Sequence, residues 1–225
     1  MLKRIREIIL PKKPKLSKYD VLNKDLQRLL TPQDTLTLLI KGNQRFVEGV
    51  SLNRDYNYQV ESTSKGQYPH SIILSCIDSR VPTEIVFDQG IGDLFNARIA
   101  GNFVNEDILG SVEFACAVAG AKLIVVMGHT SCGAIKGACD DVKLGNLTSL
   151  LSNLKEAVDS TPSVGTGSRK SDNELFVDKV AERNVVITAK RIVDKSPVIK
   201  DLVDQGKVLI VGAMYDVASG KVNFL

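Results

Sequence analysis

Four short apolar runs punctuate the chain: S-I-I-L-S at 71–75, L-F-N-A-R-I at 94–99, K-L-I-V-V-M at 122–127 and K-V-L-I-V-G-A at 207–213. The first, third and fourth lack the in-out alternation of a half-exposed strand, which predicts strands covered on both faces in a parallel sheet. Between the runs the apolar period changes to that of helices. Residues 107–120 place Ile108, Val112, Ala115, Cys116 and Ala119 on one side and stop at Gly120, a good C-terminal cap. Residues 30–49 open with Thr31 as N-cap and Pro32 in the first turn, bring Leu36, Leu39, Ile40 and Phe46 near one stripe, and close at Gly49. Further helices are predicted over 145–159, over 172–194, and from Ser196-Pro197 to about Gly206. The polar residues 51–69 read as a loop, and the Ser/Gly/Thr-rich stretch 160–168 as a mobile surface loop. After a turn at Ser219-Gly220 the tail provides a last strand, suited to antiparallel pairing at a sheet edge. Strands alternating with helices predict a single α/β domain, with a mostly parallel sheet of about four strands plus that edge strand, flanked by helices.

Charge changes this picture only at the N-terminus. The chain of 225 residues carries a formal +3, yet residues 1–18 hold Lys3, Arg4, Arg6, Lys12, Lys13, Lys15 and Lys18 against Glu7 alone. The first segment is thus locally +6 and the remainder −3. Residues 1–29 therefore form a basic arm preceding a domain over 30–225. Leu2, Ile5, Ile8 and Ile9 recur in the arm at roughly helical spacing, so a short amphipathic helix that packs on a partner is expected, rather than one that binds an anionic membrane. A nucleic-acid-binding body is not expected, because basic residues are not spread along a face and tryptophan is absent. The apolar stretch after Glu7 is too short for a secretory signal, and no stretch approaches the roughly 18 apolar residues of a membrane span. Four cysteines, at 76, 116, 132 and 139, are too few for a disulfide scaffold and suit a cytoplasmic protein.

The chemistry sits where the strands end. Cys76 closes the first apolar run, and the third is followed at once by G-H-T-S-C-G-A, which brings His129 and Cys132 to an equivalent position. In open α/β sheets ligands collect at the carboxyl ends of strands where the strand order reverses. If those two strands are neighbours, two cysteines and a histidine converge, a donor set suited to tetrahedral Zn²⁺ with a fourth position open. Cys116 and Cys139 read as small buried apolar residues, and His70 as a polar residue at a strand edge. Asp78, two residues past Cys76, can accept a proton from water at such a metal or can itself be the fourth ligand. Arg80 chooses between these roles, since a bidentate pair with Asp78 would hold the carboxylate off the metal and ionised.

C-I-D-S-R at 76–80 with H-T-S-C at 129–132 resembles the signature C-x-D-S-R…H-x-x-C of the β-class carbonic anhydrases, and the separation of the two halves agrees. The resemblance extends to R-V-P at 80–82, F-D-Q-G at 87–90, A-G-N at 100–102, G-A-I-K-G at 133–137 and the closing V-G-A-M-Y-D, leaving only the basic arm uncovered. It implies one zinc per subunit on Cys76, His129 and Cys132, with Asp78 and Arg80 as a catalytic dyad. It also implies reversible hydration of carbon dioxide to bicarbonate and a proton by a zinc-hydroxide mechanism. Gln67 matches a glutamine that bonds substrate across a subunit interface, and Phe95, Ala100 and Phe114 match the wall of an apolar carbon dioxide pocket. Alanine and phenylalanine at 100 and 114 stand where plant-type members carry valine and tyrosine, making the pocket roomier and removing a hydroxyl. The tryptophan of the family's non-catalytic bicarbonate site has no counterpart in this chain. The resemblance implies at least a homodimer, as dimer or tetramer, with the active site at the interface. Two other readings share the ligand set: a hydrolase of carbon disulfide or carbonyl sulfide on the same fold, and a non-catalytic zinc-binding module.

Overall fold

The computed structural model describes residues 21–165 and 167–225. The amphipathic helix expected around Leu2, Ile5, Ile8 and Ile9 lies outside them. Five strands, β1 (Ser71–Ser75), β2 (Leu94–Arg98), β3 (Leu123–His129), β4 (Leu209–Tyr215) and β5 (Val222–Phe224), form one sheet in the order β2-β1-β3-β4-β5. The first four run parallel and β5 is antiparallel to β4, as the sequence predicts. The chain starts in the middle, steps to one side for β2 and crosses back for β3, so the order reverses between β1 and β3. Ser75 pairs with Met127 in register. Cys76 and the end of β3 therefore meet at that reversal, where an open α/β sheet forms its crevice.

The missing alternation is explained by packing on both faces. On one, Ile72, Leu74, Ile124 and Val126 meet Val185 and Ile192 of the long helix over Glu174–Lys195 and Ile199 of the helix Pro197–Asp204. On the other, Ile73, Leu123, Val125 and Met127 meet Leu39 of the helix Pro32–Val47 together with Val86 and Phe87. That helix begins with the predicted cap, in which Thr31 Oγ1 accepts from Asp34 N–H and the Asp34 carboxylate accepts from Thr31 N–H. Gly42 within it is required by close approach, since a Cβ there would lie 1.8 Å from the Phe87 carbonyl oxygen. Asn43 in the next position donates to the carbonyls of Val86 and Gly220 and accepts from Val222 N–H, which anchors the edge strand β5. Asp88 is buried and receives the guanidinium groups of Arg45 and Arg54, tying the segment after the helix to the turn that follows the short helix Thr83–Val86.

Two expectations need correction. The polar stretch 51–69 is not all loop: Tyr56–Thr63 is a helix, capped by the Asp55 carboxylate, which accepts from Tyr58 N–H at 3.0 Å. Its one buried residue is Gln59, whose Oε1 accepts from Ile91 N–H, so no apolar stripe exists for periodicity to detect. The helix predicted over 145–159 is two, Gly145–Ser152 and Lys155–Ser160. Arg169 donates to the carbonyls of Val158 and Thr161 and lies 4.9 Å from the centroid of the Phe176 ring. Leu22 is buried, and Gln27 of the helix Lys24–Leu29 donates to the carbonyls of Pro69 and Ala119. Among the described residues no helix is long and apolar enough to cross a membrane.

His70, just ahead of β1, is buried between Ser71 Oγ (2.7 Å) and Gln89 Oε1 (3.0 Å). Burial lowers its pKa from 6.5 to about 4, partly opposed by the Gln89 hydrogen bond. Between these values the unfolded chain binds a proton that the fold does not, so His70 removes stability as pH falls from 6.5 to about 4, by about 3 kcal/mol. Asp93, raised by burial to about 6, acts in the opposite sense over much of the same window. The pH dependence of unfolding in zinc-loaded protein should therefore be compared with that of His70→Gln. The variant is expected to lose the acid-side decline that His70 contributes; identical slopes would contradict this assignment.

Candidate metal centre

Cys76 is the first residue beyond β1, His129 the last residue of β3, and Cys132 the N-cap of the helix Gly133–Cys139. Their ligand atoms all lie within 4.8 Å of one another, and all three residues are buried. The sulfurs are 4.0 Å apart, twice a disulfide length and close to the roughly 3.8 Å separating two thiolates on a tetrahedral zinc. His129 Nδ1 donates to the Thr130 carbonyl at 2.9 Å, while its buried Nε2 has no hydrogen-bond partner among the described residues. A buried ring nitrogen left bare beside two sulfurs is a costly arrangement for a protein alone and the tautomer that metal ligation requires. The donor set and the bare nitrogen both fit zinc.

The loop that carries two of these groups is strained and braced. Ser131 has φ +53°, and its N–H is held by the Asp178 carboxylate at 2.9 Å from the long helix. Thr130 continues the β3–β4 pairing through its N–H to the Tyr215 carbonyl, and its hydroxyl accepts from Val217 N–H. The contact between the two sulfurs moves their thiols in opposite directions. Cys76 is drawn well below the ordinary thiol range, chiefly by the S–H of Cys132, while Cys132, as donor of that bond and by burial, is pushed up. The other cysteines stand apart from the cluster. Burial raises Cys116 to about 12 and Cys139 to about 11, the behaviour of inert core thiols.

Asp78 and Arg80 form the expected bidentate pair, with Nε to Oδ1 at 2.9 Å and Nη2 to Oδ2 at 2.8 Å. Arg80 N–H adds a third bond to Oδ1. The guanidinium holds the Asp78 carboxyl well below the usual carboxylate range, against a modest cost of burial. Asp78 Oδ2 is nonetheless 3.9 Å from His129 Nε2, so the carboxylate stands beside the ligand cluster with both oxygens already engaged. Arg98, at the end of β2, donates to the Cys76 carbonyl (2.9 Å) and to the Asp78 carbonyl (2.7 Å), and Gly101 N–H points at Cys76 Sγ (3.4 Å). Sequence reasoning missed Arg98, Gly101 and Asp178 as supports of the site. Each acts through a long-range bond that leaves no local periodicity.

One protomer does not bring the other expected residues to this cluster. Ala100 adjoins Gly101 in the turn after β2. Phe95 pairs with Ile72, three residues before the end of β1, hence about 10 Å short of the strand ends. It meets Phe114 edge to face, centroids 6.1 Å apart, in a groove that reaches Arg98. Phe114 opens a five-residue π-helical turn, Phe114–Val118, continuing the helix Glu106–Glu113, and about half its surface is exposed. Gln67 is exposed in the segment before β1.

A sequence model of the carbonic anhydrase family matches residues 71–222. The chain belongs to the β-carbonic anhydrase family. "Carbonic anhydrase 2" of Mycobacterium tuberculosis is 36% identical over 185 residues, 81% of this chain and 87% of its own. The carbonic anhydrase of Mycolicibacterium smegmatis is 36% identical over 184 residues, with the same shares covered. Among solved structures, the β-carbonic anhydrase CafA of Aspergillus fumigatus superposes with a TM-score of 0.65 at 27% identity, over 85% of this chain and 91% of that one. A β-carbonic anhydrase is an enzyme, a carbonate dehydratase, and its metal is zinc; among the described residues Cys76, His129 and Cys132 are the group able to hold it.

Proposed function

We propose that the protein hydrates carbon dioxide reversibly to bicarbonate and a proton at a zinc site made by Cys76, His129 and Cys132, with Asp78 and Arg80 as the working dyad. The observation that carries this reading is the bare Nε2 of His129, which faces two thiols beside a carboxylate whose two oxygens are both bound by one arginine. Zinc held there supplies an electrophilic centre that makes water nucleophilic near neutral pH. Asp78 orients that water by accepting its hydrogen bond. Because Arg80 keeps Asp78 a weak base, the proton is not stored there but passes to solvent or buffer. Arg80 also keeps the carboxylate from becoming a ligand itself, and Arg98 fixes the backbone of both Cys76 and Asp78.

Carbon dioxide is small and apolar, so it needs a dry wall beside the reacting water. Ala100 belongs to that wall within one protomer; Phe95, Phe114 and Gln67 reach it from a second copy of the chain. Support comes from β2, which among the described residues is an edge strand bonded only to β1 and offers a ready pairing edge, and from the exposed apolar groups Ile77, Phe114 and Val118. The four unpaired cysteines suit a reducing, cytoplasmic setting. Stopped-flow hydration of carbon dioxide, run beside hydrolysis of carbonyl sulfide and carbon disulfide on the same zinc-loaded sample, tests the reading. Carbon dioxide is expected to be the turned-over substrate. Hydrolysis of the sulfur compounds without carbon dioxide hydration would replace it by the hydrolase reading, and a zinc-loaded protein inert to all three by a non-catalytic module.

A further inference from the structure

A fully apolar stripe would serve the long helix Glu174–Lys195 best, since its buried face packs on the sheet. Asn184 nevertheless sits in that stripe, buried, between Val180, Ala181 and Val185. Its Nδ2 donates at 2.8 Å to the carbonyl of Gly101, 83 positions away in sequence. Gly101 is the third residue of a turn closed by Asn102 N–H to the Ile99 carbonyl at 2.9 Å, and its φ of +78° is that of a type II turn. The central peptide of this turn supplies the N–H that points at Cys76 Sγ at 3.4 Å. The turn has little room to shift toward the helical layer, because a Cβ on Gly101 would lie 2.7 Å from Leu154 Cδ1.

We infer that Asn184 is a positioning residue for the metal centre: it clamps the Ile99–Asn102 turn to the long helix so that the Gly101 N–H stays aimed at the Cys76 sulfur. The inference rests on the reading of Cys76 as a zinc ligand. The physical logic is that of outer-shell partners generally, which orient a ligand and stabilise its charged form. An amide donor aimed at a thiolate does both, and only if the amide cannot turn away. Without the Asn184 donor, the Gly101 carbonyl is a buried acceptor lacking this partner, and the turn reorients to find another, taking the N–H off the sulfur.

The test compares Asn184→Leu with Gln27→Leu, which removes a buried side-chain amide that donates to the carbonyls of Pro69 and Ala119, ahead of β1 and β3 and so at the strand ends opposite the metal centre. Zinc affinity is measured by competition with a chelator at fixed pH, and the sulfur-to-cobalt charge-transfer absorption is recorded on cobalt-loaded protein. Asn184→Leu is expected to weaken zinc binding about tenfold or more and to shift the charge-transfer band, whereas Gln27→Leu lowers thermal stability and leaves both unchanged. If Asn184→Leu does not fold, Asn184→Ala, which removes the donor without adding bulk, is read the same way. Zinc affinity within twofold of the parent together with an unshifted band would overturn the inference. A parent chain that binds no zinc would instead overturn the metal reading on which it rests.

Discussion

Cys76→Ser is expected to lose zinc and carbon dioxide hydration together. Serine keeps the size of the side chain but offers a neutral, hard hydroxyl where a borderline-soft metal takes a thiolate, so the site is left with one sulfur and one imidazole. Outer-shell changes around catalytic metals cost about 10–100-fold, and loss of a direct ligand is expected to exceed that range. Cys116→Ser and Cys139→Ser are the matched controls. Both thiols are raised by burial and lie outside the cluster, so those variants are expected to keep their zinc and turn over carbon dioxide near the parent rate. Zinc content by elemental analysis and initial rates by stopped flow decide it. A metal-free Cys76→Ser protein running at full rate would remove these residues from the chemistry.

Arg80→Ala is expected to keep zinc and lose turnover. The guanidinium makes two side-chain bonds to the Asp78 carboxylate and its own N–H a third; the substitution removes the two side-chain bonds. Asp78 Oδ2 is already 3.9 Å from His129 Nε2, and a carboxylate released so close to a divalent cation becomes its fourth ligand. The activity is expected to fall by roughly 10²-fold or more, the scale on which misplacing a positioning group costs turnover. Arg80→Lys should not rescue it, because an ammonium is a single point charge and cannot grip both oxygens in a plane. A crystal structure of zinc-loaded Arg80→Ala in which Asp78 still stands free of the metal would refute the gating role.

Much of this is legible in the sequence, for a physical reason. Strands covered on both faces leave unbroken apolar runs, and β1 falls at the residues its run predicts. β3 continues two residues past the end of its run because Gly128 and His129 still pair with Met214 and Tyr215 of β4, and that extension is what delivers His129 to the cluster. The convergence of Cys76, His129 and Cys132 could be anticipated because strand ends at a reversal of order are forced together. The helix at Tyr56–Thr63 was illegible because burial there consists of one glutamine. Arg98, Asp178 and Asn184 were illegible because each recognises a backbone atom, which any sequence provides. Asn184 and Thr188 did leave a trace, as two polar residues one turn apart inside an apolar stripe; a buried polar group of that kind asks for a partner, though it does not say which. Where Phe95, Phe114 and Gln67 act is a property of two chains, beyond what the pattern of one can specify.

The most direct measurement of the central claim is zinc stoichiometry taken with stopped-flow carbon dioxide hydration across pH, on the same preparation before and after chelation. The account predicts about one zinc per chain, with hydration that disappears when the metal is stripped and returns when zinc is restored. Undiminished hydration by the stripped protein, or a full complement of zinc with no hydration at any pH, would contradict it.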